Sequence, residues 1–271
     1  MLTQAEKGKV FRALHERDGA FIIPNPWDIG TARLLAHLGF EALATTSAGY
    51  AFSVGQGDDA IGREEMMTHV AQIASATDLP VSADLRNGFG DSPETCAETI
   101  RLAAKTGLAG CSIEDRSTDR SIYELELAVA RIRAAAEAAR ALPFTFTLTA
   151  RAENYLVGRP DLNDTIKRLQ AFEEAGADVL YAPGLTTKED MVSVVSSLGR
   201  PVNVIMGLQG VHMSLSELAE IGVKRISVGS TLTRVALGAF LRAAQEMRTH
   251  GTFTFADDAA SGGEISNMFN A

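Results

Sequence analysis

Three strand-like runs in the sequence carry ionisable side chains near their ends. VSADLRNGFGD holds Asp84, GCSIED holds Glu114 and Asp115, and FTLTAR closes on Arg151. Burying an unpaired carboxylate is costly, so a chain that does this either pairs the charge or uses it. Asp84 and Glu114, joined by a loop carboxylate, would form a hard, oxygen-rich site suited to Mg²⁺. That ion takes one or two carboxylates together with waters and a substrate oxygen. The plain alternative is that these acids only pair with Arg86, Arg116 or Arg151. Acids on adjacent strand ends beside a glycine-rich loop favour metal binding or catalysis.

Other chemistries find less support. A Schiff-base aldolase needs a lysine at a strand's C-terminal end. Lys7, Lys9, Lys105, Lys167, Lys188 and Lys224 instead fall in expected helices, turns or strand starts. His15, His37 and His69 fall in expected helices, and His212 at the start of the helix after the seventh strand. No ligand set for a zinc triad is visible. Gly229-Ser230 before a helix is a weak phosphate-binding signal, since such turns commonly start a last helix.

The elements that must place these residues follow a repeated grammar. Helices end at glycine and short apolar strands follow in LGFEALATTS, TGLAGCSIED, AGADVLYAP and IGVKRISVGS. Glycine just past a helix adopts the left-handed cap conformation cheaply. Pro80, Pro143 and Pro201 open strands, where no ladder donor is lost. Ser92-Pro93 reads as an N-cap with proline in the first turn. Ile166, Leu169 and Phe172 share one helical face, as do Leu125, Val129 and Ile132. Eight strands are expected: FIIPNPW, ALATTS, VSADL, GCSIED, FTLTAR, VLYAP, VNVIM and RISVGS, each followed by a helix. Apolar strands alternating with helices mean a parallel sheet covered on both faces. Eight uninterrupted units favour a (β/α)8 TIM barrel over an open, doubly wound sheet. In such a barrel the site lies where the strands finish. Those ends carry Asp28, Thr45-Thr46-Ser47, Asp84, Glu114, Arg151, Asn203 and Gly229-Ser230.

The bulk composition narrows the partners. The 271 residues fit one barrel, with no linker to divide them, and 46% hydrophobic content is ordinary for a globular chain. A net charge of −9 argues against a nucleic-acid surface, which needs a basic face. Cys96 and Cys111 are the only cysteines and form no CxxC, so neither a disulfide framework nor a thiolate zinc site is expected. The N-terminus lacks an apolar signal core, and no run approaches the roughly 20 apolar residues of a membrane span. A reducing cytoplasm is the expected location, with no membrane partner.

Taken together, NPWDIGTARLL, TTSAGYAFSVGQGD, VSADLRNGFGD, SIED and LTARAENY resemble the isocitrate lyase/phosphoenolpyruvate mutase superfamily. The resemblance runs from about Asn25 to Gly238. It implies a barrel whose last helices are exchanged with a neighbouring subunit in a homodimer or homotetramer. Residues 251–271 would be a C-terminal extension packing on that partner, which would cover Phe253, Phe255, Ile265, Met268 and Phe269. Packing of the tail on its own barrel is the alternative. Asp84 matches the acid that ligates Mg²⁺ (Mn²⁺ being the alternative ion), while Asp58 and Glu114 match carboxylates that reach the metal through water. Thr45 stands at the same rim, and Ser47, Ala48 and Gly49 match the turn that holds a substrate carboxylate. Arg151 matches the arginine that neutralises developing negative charge, with Asn203 on a neighbouring strand end as a further substrate contact. The implied chemistry is bond cleavage beside a 2-oxo or 2-hydroxy acid through a metal-stabilised enolate. Asp58, in the glycine-flanked VGQGDD, would report closure of a moving loop.

The match departs in three places. The superfamily usually has a second acid two residues after the metal aspartate, where this chain has Arg86. The loop after Glu114-Asp115, RSTDRSIYELE, has neither the Lys-Lys-Cys-Gly-His segment of isocitrate and methylisocitrate lyases nor the Lys-x-Asn-Ser motif of the mutases. Losing the thiol acid argues against those lyase activities, and losing the mutase motif argues against phosphonate chemistry. What remains resembles a branch of decarboxylases and lyases acting on 2-oxo dicarboxylates. The expected function is Mg²⁺-dependent carbon–carbon cleavage or decarboxylation of a small 2-oxo or 2-hydroxy dicarboxylic acid. Arg86 would grip the distal carboxylate. A non-catalytic binder of a 2-oxo acid such as 2-oxoglutarate is the rival, and a phosphosugar enzyme using Gly229-Ser230 is a third reading.

Overall fold

The structure, a computed structural model, describes residues 2–270. All eight expected strands form: β1 (Phe21–Ile22), β2 (Leu43–Ala44), β3 (Val81–Asp84), β4 (Gly110–Glu114), β5 (Thr147–Arg151), β6 (Val179–Tyr181), β7 (Val202–Ile205) and β8 (Arg225–Ser227). They pair in parallel in the order β1-β8-β7-β6-β5-β4-β3-β2. The ring closes between its two ends where the Ala44 N–H donates to the Pro24 carbonyl at 3.0 Å. The result is the (β/α)8 barrel.

Around the strands lie α1 (Gln4–Glu16), α2 (Ile29–His37), α3 (Ser47–Ser53), α4 (Arg63–Ala76), α5 (Pro93–Ala103), α6 (Leu125–Arg140), α7 (Leu162–Glu174), α8 (Lys188–Ser196), α9 (Leu215–Glu220), α10 (Thr231–His250) and α11 (Gly262–Asn270). Their starts are chemically specified. Asp28, Thr46, Ser92, Asp161, Thr187 and Ser214 each accept a first-turn N–H, supplying an acceptor the helix itself lacks. The glycines of the four repeated phrases, Gly39, Gly107, Gly176 and Gly222, have φ of 85°, 88°, 103° and 85°. Each is the left-handed end of a helix. His212 lies in the loop before α9 and not in that helix, because Ser214 is the N-cap.

The apolar core lies between strands and helices, where Leu148, Ile100, Ile132, Leu169 and Phe172 are buried. The barrel's inner face is polar. Strand register aligns Glu114 with Arg151, Arg151 with Tyr181, Tyr181 with Asn203, and Asn203 with Arg225. Alternation then turns every second side chain of these strands inward.

Two helices depart from barrel habit. Of the 20 residues of α10, only Thr233 is buried. Helix α11 lies on α2 of its own chain: the Arg33 guanidinium donates to the Phe269 carbonyl and sits 5.4 Å from the centre of its ring. The contacts of this tail within the chain therefore fall on its own barrel.

Candidate active site

The sequence-selected acids meet at the C-terminal rim. Asp84 ends β3, and its Oδ2 accepts from the Ser47 N–H at 3.2 Å and the Ser47 hydroxyl at 2.9 Å. The same hydroxyl lies 3.0 Å from Asp58 Oδ1. Asp84 Oδ1 takes Arg151 Nη1 at 3.1 Å, and Thr45 Oγ1 accepts from the Asp84 backbone N–H at 3.0 Å. Thr45 thus sets the strand end that aims Asp84.

Arg151 is the hub. Besides Asp84 it contacts Glu114 Oε1 at 3.0 Å and, through Nε, Glu153 Oε1 at 2.8 Å. Its guanidinium carbon stands 5.1 Å from the centre of the Tyr181 ring. Burial pushes Glu114 up to about 8 even with Arg151 and Arg116 beside it, and burial likewise raises Glu153. Glu153 was missed in the sequence reading because it stands two residues past β5. The signal available was its place inside LTARAENY. Asp115, next to Glu114, turns away from the site: it accepts from Arg168 and from the Glu153 N–H, and burial lifts it to about 6.

Below this cluster is a cavity of about 50 Å³, whose lining includes Asn25, Thr45, Asp84, Arg151, Tyr181 and Asn203. Asn25 seals its rim. Its Oδ1 accepts from the N–H groups of Val228 and Gly229 at 2.8 and 2.9 Å, and its Nδ2 donates to the Thr45 carbonyl. The Gly229-Ser230 turn that could have held a phosphate thus spends the Gly229 donor on Asn25. Arg225 lies at the cavity floor, donating to Asn203, His15 and Thr149. It was also missed, since it stands at the start of a strand and not at its end.

Several expected contacts need correction. Arg86 does not line the cavity. Its guanidinium binds Asp59 Oδ1 at 2.5 Å and the carbonyls of Asp59 and Ile61, which turns it into the adjoining loop. Asn203 does line the cavity, where Oδ1 accepts from Arg225 and Nδ2 donates to Ser227, so the barrel orients its amide and leaves the second N–H and the second lone pair open. In the Ser47-Ala48-Gly49 turn, the Ser47 N–H goes to Asp84 and the Gly49 N–H to the Thr46 cap. Among these three, only the Ala48 N–H has no acceptor among the described residues. Gly49 is required for space, since a Cβ there would stand 2.5 Å from Thr46 Cγ2 and 2.6 Å from Thr233 Oγ1.

The chemistry of the Asp58–Ser47–Asp84 group fits a divalent cation. One hydroxyl proton lies between two carboxylate oxygens, so it satisfies only one of them. Burial and the neighbouring Asp84 charge push Asp58 above the usual carboxylate range, a mark of negative charge in need of compensation. Among the described residues no cage of three or more His, Cys, Asp or Glu side chains forms. Mg²⁺ needs none, because waters and substrate oxygens fill its remaining positions.

Residues 11–248 match the family model described as phosphoenolpyruvate phosphomutase. The chain belongs to that family. It is 63% identical to a protein from Burkholderia cenocepacia J2315 whose crystal structure is provisionally described as a lyase/mutase. That match covers 99% of this chain and 97% of the other, with a TM-score of 0.95. The crystal structure of 2,3-dimethylmalate lyase, a member of the PEP mutase/isocitrate lyase superfamily, is 27% identical and has a TM-score of 0.86. It aligns over 99% of this chain and 95% of its own. The 2-methylisocitrate lyase of Escherichia coli (strain K12) is 31% identical over 189 residues, 66% of this chain and 62% of that enzyme. These similar proteins are thus named for lyase activity and for mutase activity.

Proposed function

We propose that this protein is a carbon–carbon lyase acting on a small 2-oxo or 2-hydroxy dicarboxylic acid with the help of Mg²⁺. One observation carries the reading: Asp58, Asp84, Glu114 and Glu153 converge through Ser47 and Arg151 beside a small polar cavity at the strand ends. The relatives named for lyase activity on 2,3-dimethylmalate and 2-methylisocitrate support the reaction class.

In this reading Asp84 would hold the cation, with Asp58 and Glu114 acting through water. When bound, the cation supplies Lewis-acid stabilisation of negative charge on a substrate oxygen. Arg151 adds a fixed positive charge, kept in place by three acids so that it needs no reorganisation as charge develops. Ala48 offers one backbone N–H to a carboxylate at the rim. In a 2-oxo diacid the C3–C4 bond would break: C4 leaves as CO₂, its electron pair forms the C2–C3 double bond, and the carbonyl pair moves onto the 2-oxo oxygen as an enolate that a proton from water at C3 returns to the ketone. In a 2-hydroxy diacid the C2–C3 bond would break as a base takes the hydroxyl proton: C2 becomes the carbonyl of a 2-oxo acid, and the pair passes through C3 to the 4-carboxylate, with a proton from water completing the second product. No thiol is placed to protonate a leaving group: Cys96 and Cys111 are buried in α5 and β4, and burial raises both. Loss of CO₂ needs no such acid, so decarboxylation is the preferred form.

The rival reading, a 2-oxo acid binder without turnover, draws on Arg86 standing near the metal position and on the missing loop motifs. Asp59 neutralises the Arg86 charge, which removes the first of these grounds. Turnover of 2-oxo and 2-hydroxy diacids with Mg²⁺ tests the choice, and binding without turnover across the panel would favour the rival.

The same reading makes residues 1–271 one barrel with a C-terminal extension in a homodimer or homotetramer. Helix α10, about 30 Å long at 1.5 Å per residue, leaves Phe240 and Leu241 exposed by 67% and 64%. An apolar face of this kind on a monomer calls for a partner. No helix among the described residues is long and apolar enough to cross a membrane. The two free buried cysteines suit the cytoplasm.

A further inference from the structure

Three arginines from two different loops converge on one carboxylate beside the site. Asp59 lies in the short 3-10 turn Asp58–Ala60, between Gly57 and Gly62. Its Oδ1 accepts from Arg86 Nη2 at 2.5 Å and Arg116 Nη2 at 2.8 Å, and its Oδ2 from Arg120 at 2.8 and 3.0 Å. Arg86 also donates through Nη1 to the Asp59 and Ile61 carbonyls, so it grips the turn's backbone as well as its side chain.

The arginines are held for this contact at some backbone cost. Arg86 and Arg120 have φ of 52° and 67°, two of only three non-glycine residues with positive φ among those described. Left-handed backbone at such residues persists only where surrounding contacts enforce it. Arg120 is presented by a small hairpin in which Arg116 bridges to Ile122, the Ser117 N–H donates to the Ser121 carbonyl, and Asp119 accepts from the Ser121 N–H. Arg86 is enclosed: its side chain is 8% exposed, and its guanidinium carbon stands 6.0 Å from the centre of the Phe89 ring.

The neighbouring acid faces the other way. Asp58 meets Ser47, whose hydroxyl also touches Asp84. The two consecutive aspartates thus divide their work, one toward the arginines and the other toward the reaction site.

We propose that Asp59 is a positioning residue, the latch by which Arg86, Arg116 and Arg120 hold the Asp58–Ala60 turn against the barrel rim and keep Asp58 on Ser47 and Asp84. Flanking glycines leave the turn free to move when the latch opens. The latch also explains the loop RSTDRSIYELE, whose hairpin supplies two of the three guanidiniums.

Hydrogen–deuterium exchange on the full chain tests this directly, comparing wild type with Asp59→Asn and Arg120→Gln. Arg120 is 69% exposed, so its variant removes one arm of the latch with little risk to folding. Exchange across residues 54–62 should rise at least about tenfold in D59N and severalfold in R120Q, while β3, β4 and α5 keep wild-type protection. High salt should speed the same segment in wild type by screening its exposed arm. Unchanged exchange of 54–62 in both variants would overturn the proposal. The role of Asp58 rests on the lyase reading, and a kinetic comparison tests it separately. Asp59→Asn should lower kcat about 10- to 100-fold with KM within about threefold, and faster exchange with an unaltered kcat would refute positioning. The exchange measurement needs no substrate, so failure of the lyase reading leaves it decisive.

Discussion

Replacing Arg151 by Met removes the one cation that Asp84, Glu114 and Glu153 share, at 3.1, 3.0 and 2.8 Å. Methionine keeps much of the arginine stem's volume, so the change is mainly one of charge. Glu114 retains Arg116 Nε at 3.4 Å, while Glu153 is left with no cation partner among the described residues. Breaking a buried pair from one side costs about 3–5 kcal/mol, because the remaining charge stays out of water. The acids have an escape, which is to fold protonated. Burial already lifts Glu114 from 4.5 to about 8, and losing Arg151 moves it and Glu153 further up. A folded-state pKa above the unfolded value means that the fold binds the extra proton. The associated stability is full below about 4.5 and is lost as pH rises through about 8. Wild type already keeps Glu114 protonated up to about 8, so the deficit of Arg151→Met should grow as pH rises above that value, where wild type ionises Glu114 beside Arg151 and the variant does not. Urea unfolding at several pH values measures it, and Arg151→Lys should fall between, since one ammonium lacks the fork that reaches three carboxylates. A deficit that does not grow from about pH 7 to about pH 9.5 would refute the reasoning.

Ser47→Ala removes the only proton between Asp58 and Asp84, and should weaken Mg²⁺ binding about 10- to 100-fold by calorimetry, with no comparable loss of thermal stability. Burial, and after it the Arg225 charge, holds His15 at about 3 against 6.5 in the unfolded chain, so the unfolded state takes up its proton first as pH falls through this window. The linkage withdraws about 2–3 kcal/mol of stability by pH 4.5, and His15→Gln, which keeps an acceptor for Arg225, should lose less on acidification from pH 7 to pH 4.5. Equal losses would contradict it. A double change of Phe240 and Leu241 to Asp should give monomers by light scattering if α10 carries the subunit interface, and an unchanged mass would exclude that face.

The fold was legible in the sequence to the level of every strand, because glycine caps and the prolines at 80 and 201 mark strand boundaries by local backbone physics; Pro143 does not open its strand, since β5 begins only at Thr147. The site was legible where strand ends carry charge, as at Asp84, Glu114 and Arg151. It failed where a side chain's partner comes from a distant loop. Nothing near Arg86 in sequence announces Asp59, 27 residues away, so the guanidinium read as a substrate anchor. Asn203 does reach the cavity, and nothing in the sequence signals that Arg225 and Ser227 on the neighbouring strand orient its amide. Glu153 and Arg225 escaped attention because each lies off the strand terminus, while register and burial bring both to the hub and the cavity.

The central claim is a divalent cation at Asp84 serving carbon–carbon cleavage. The most direct measurement is product formation from a panel of 2-oxo and 2-hydroxy dicarboxylic acids by wild type and Asp84→Asn, with Mg²⁺ and with a chelator. The account expects wild type to cleave at least one diacid only when the metal is present, and Asp84→Asn to fall by at least about 10²-fold at any Mg²⁺ concentration. Turnover indifferent to both the chelator and the substitution would contradict it, as would no turnover of any diacid with Mg²⁺ bound.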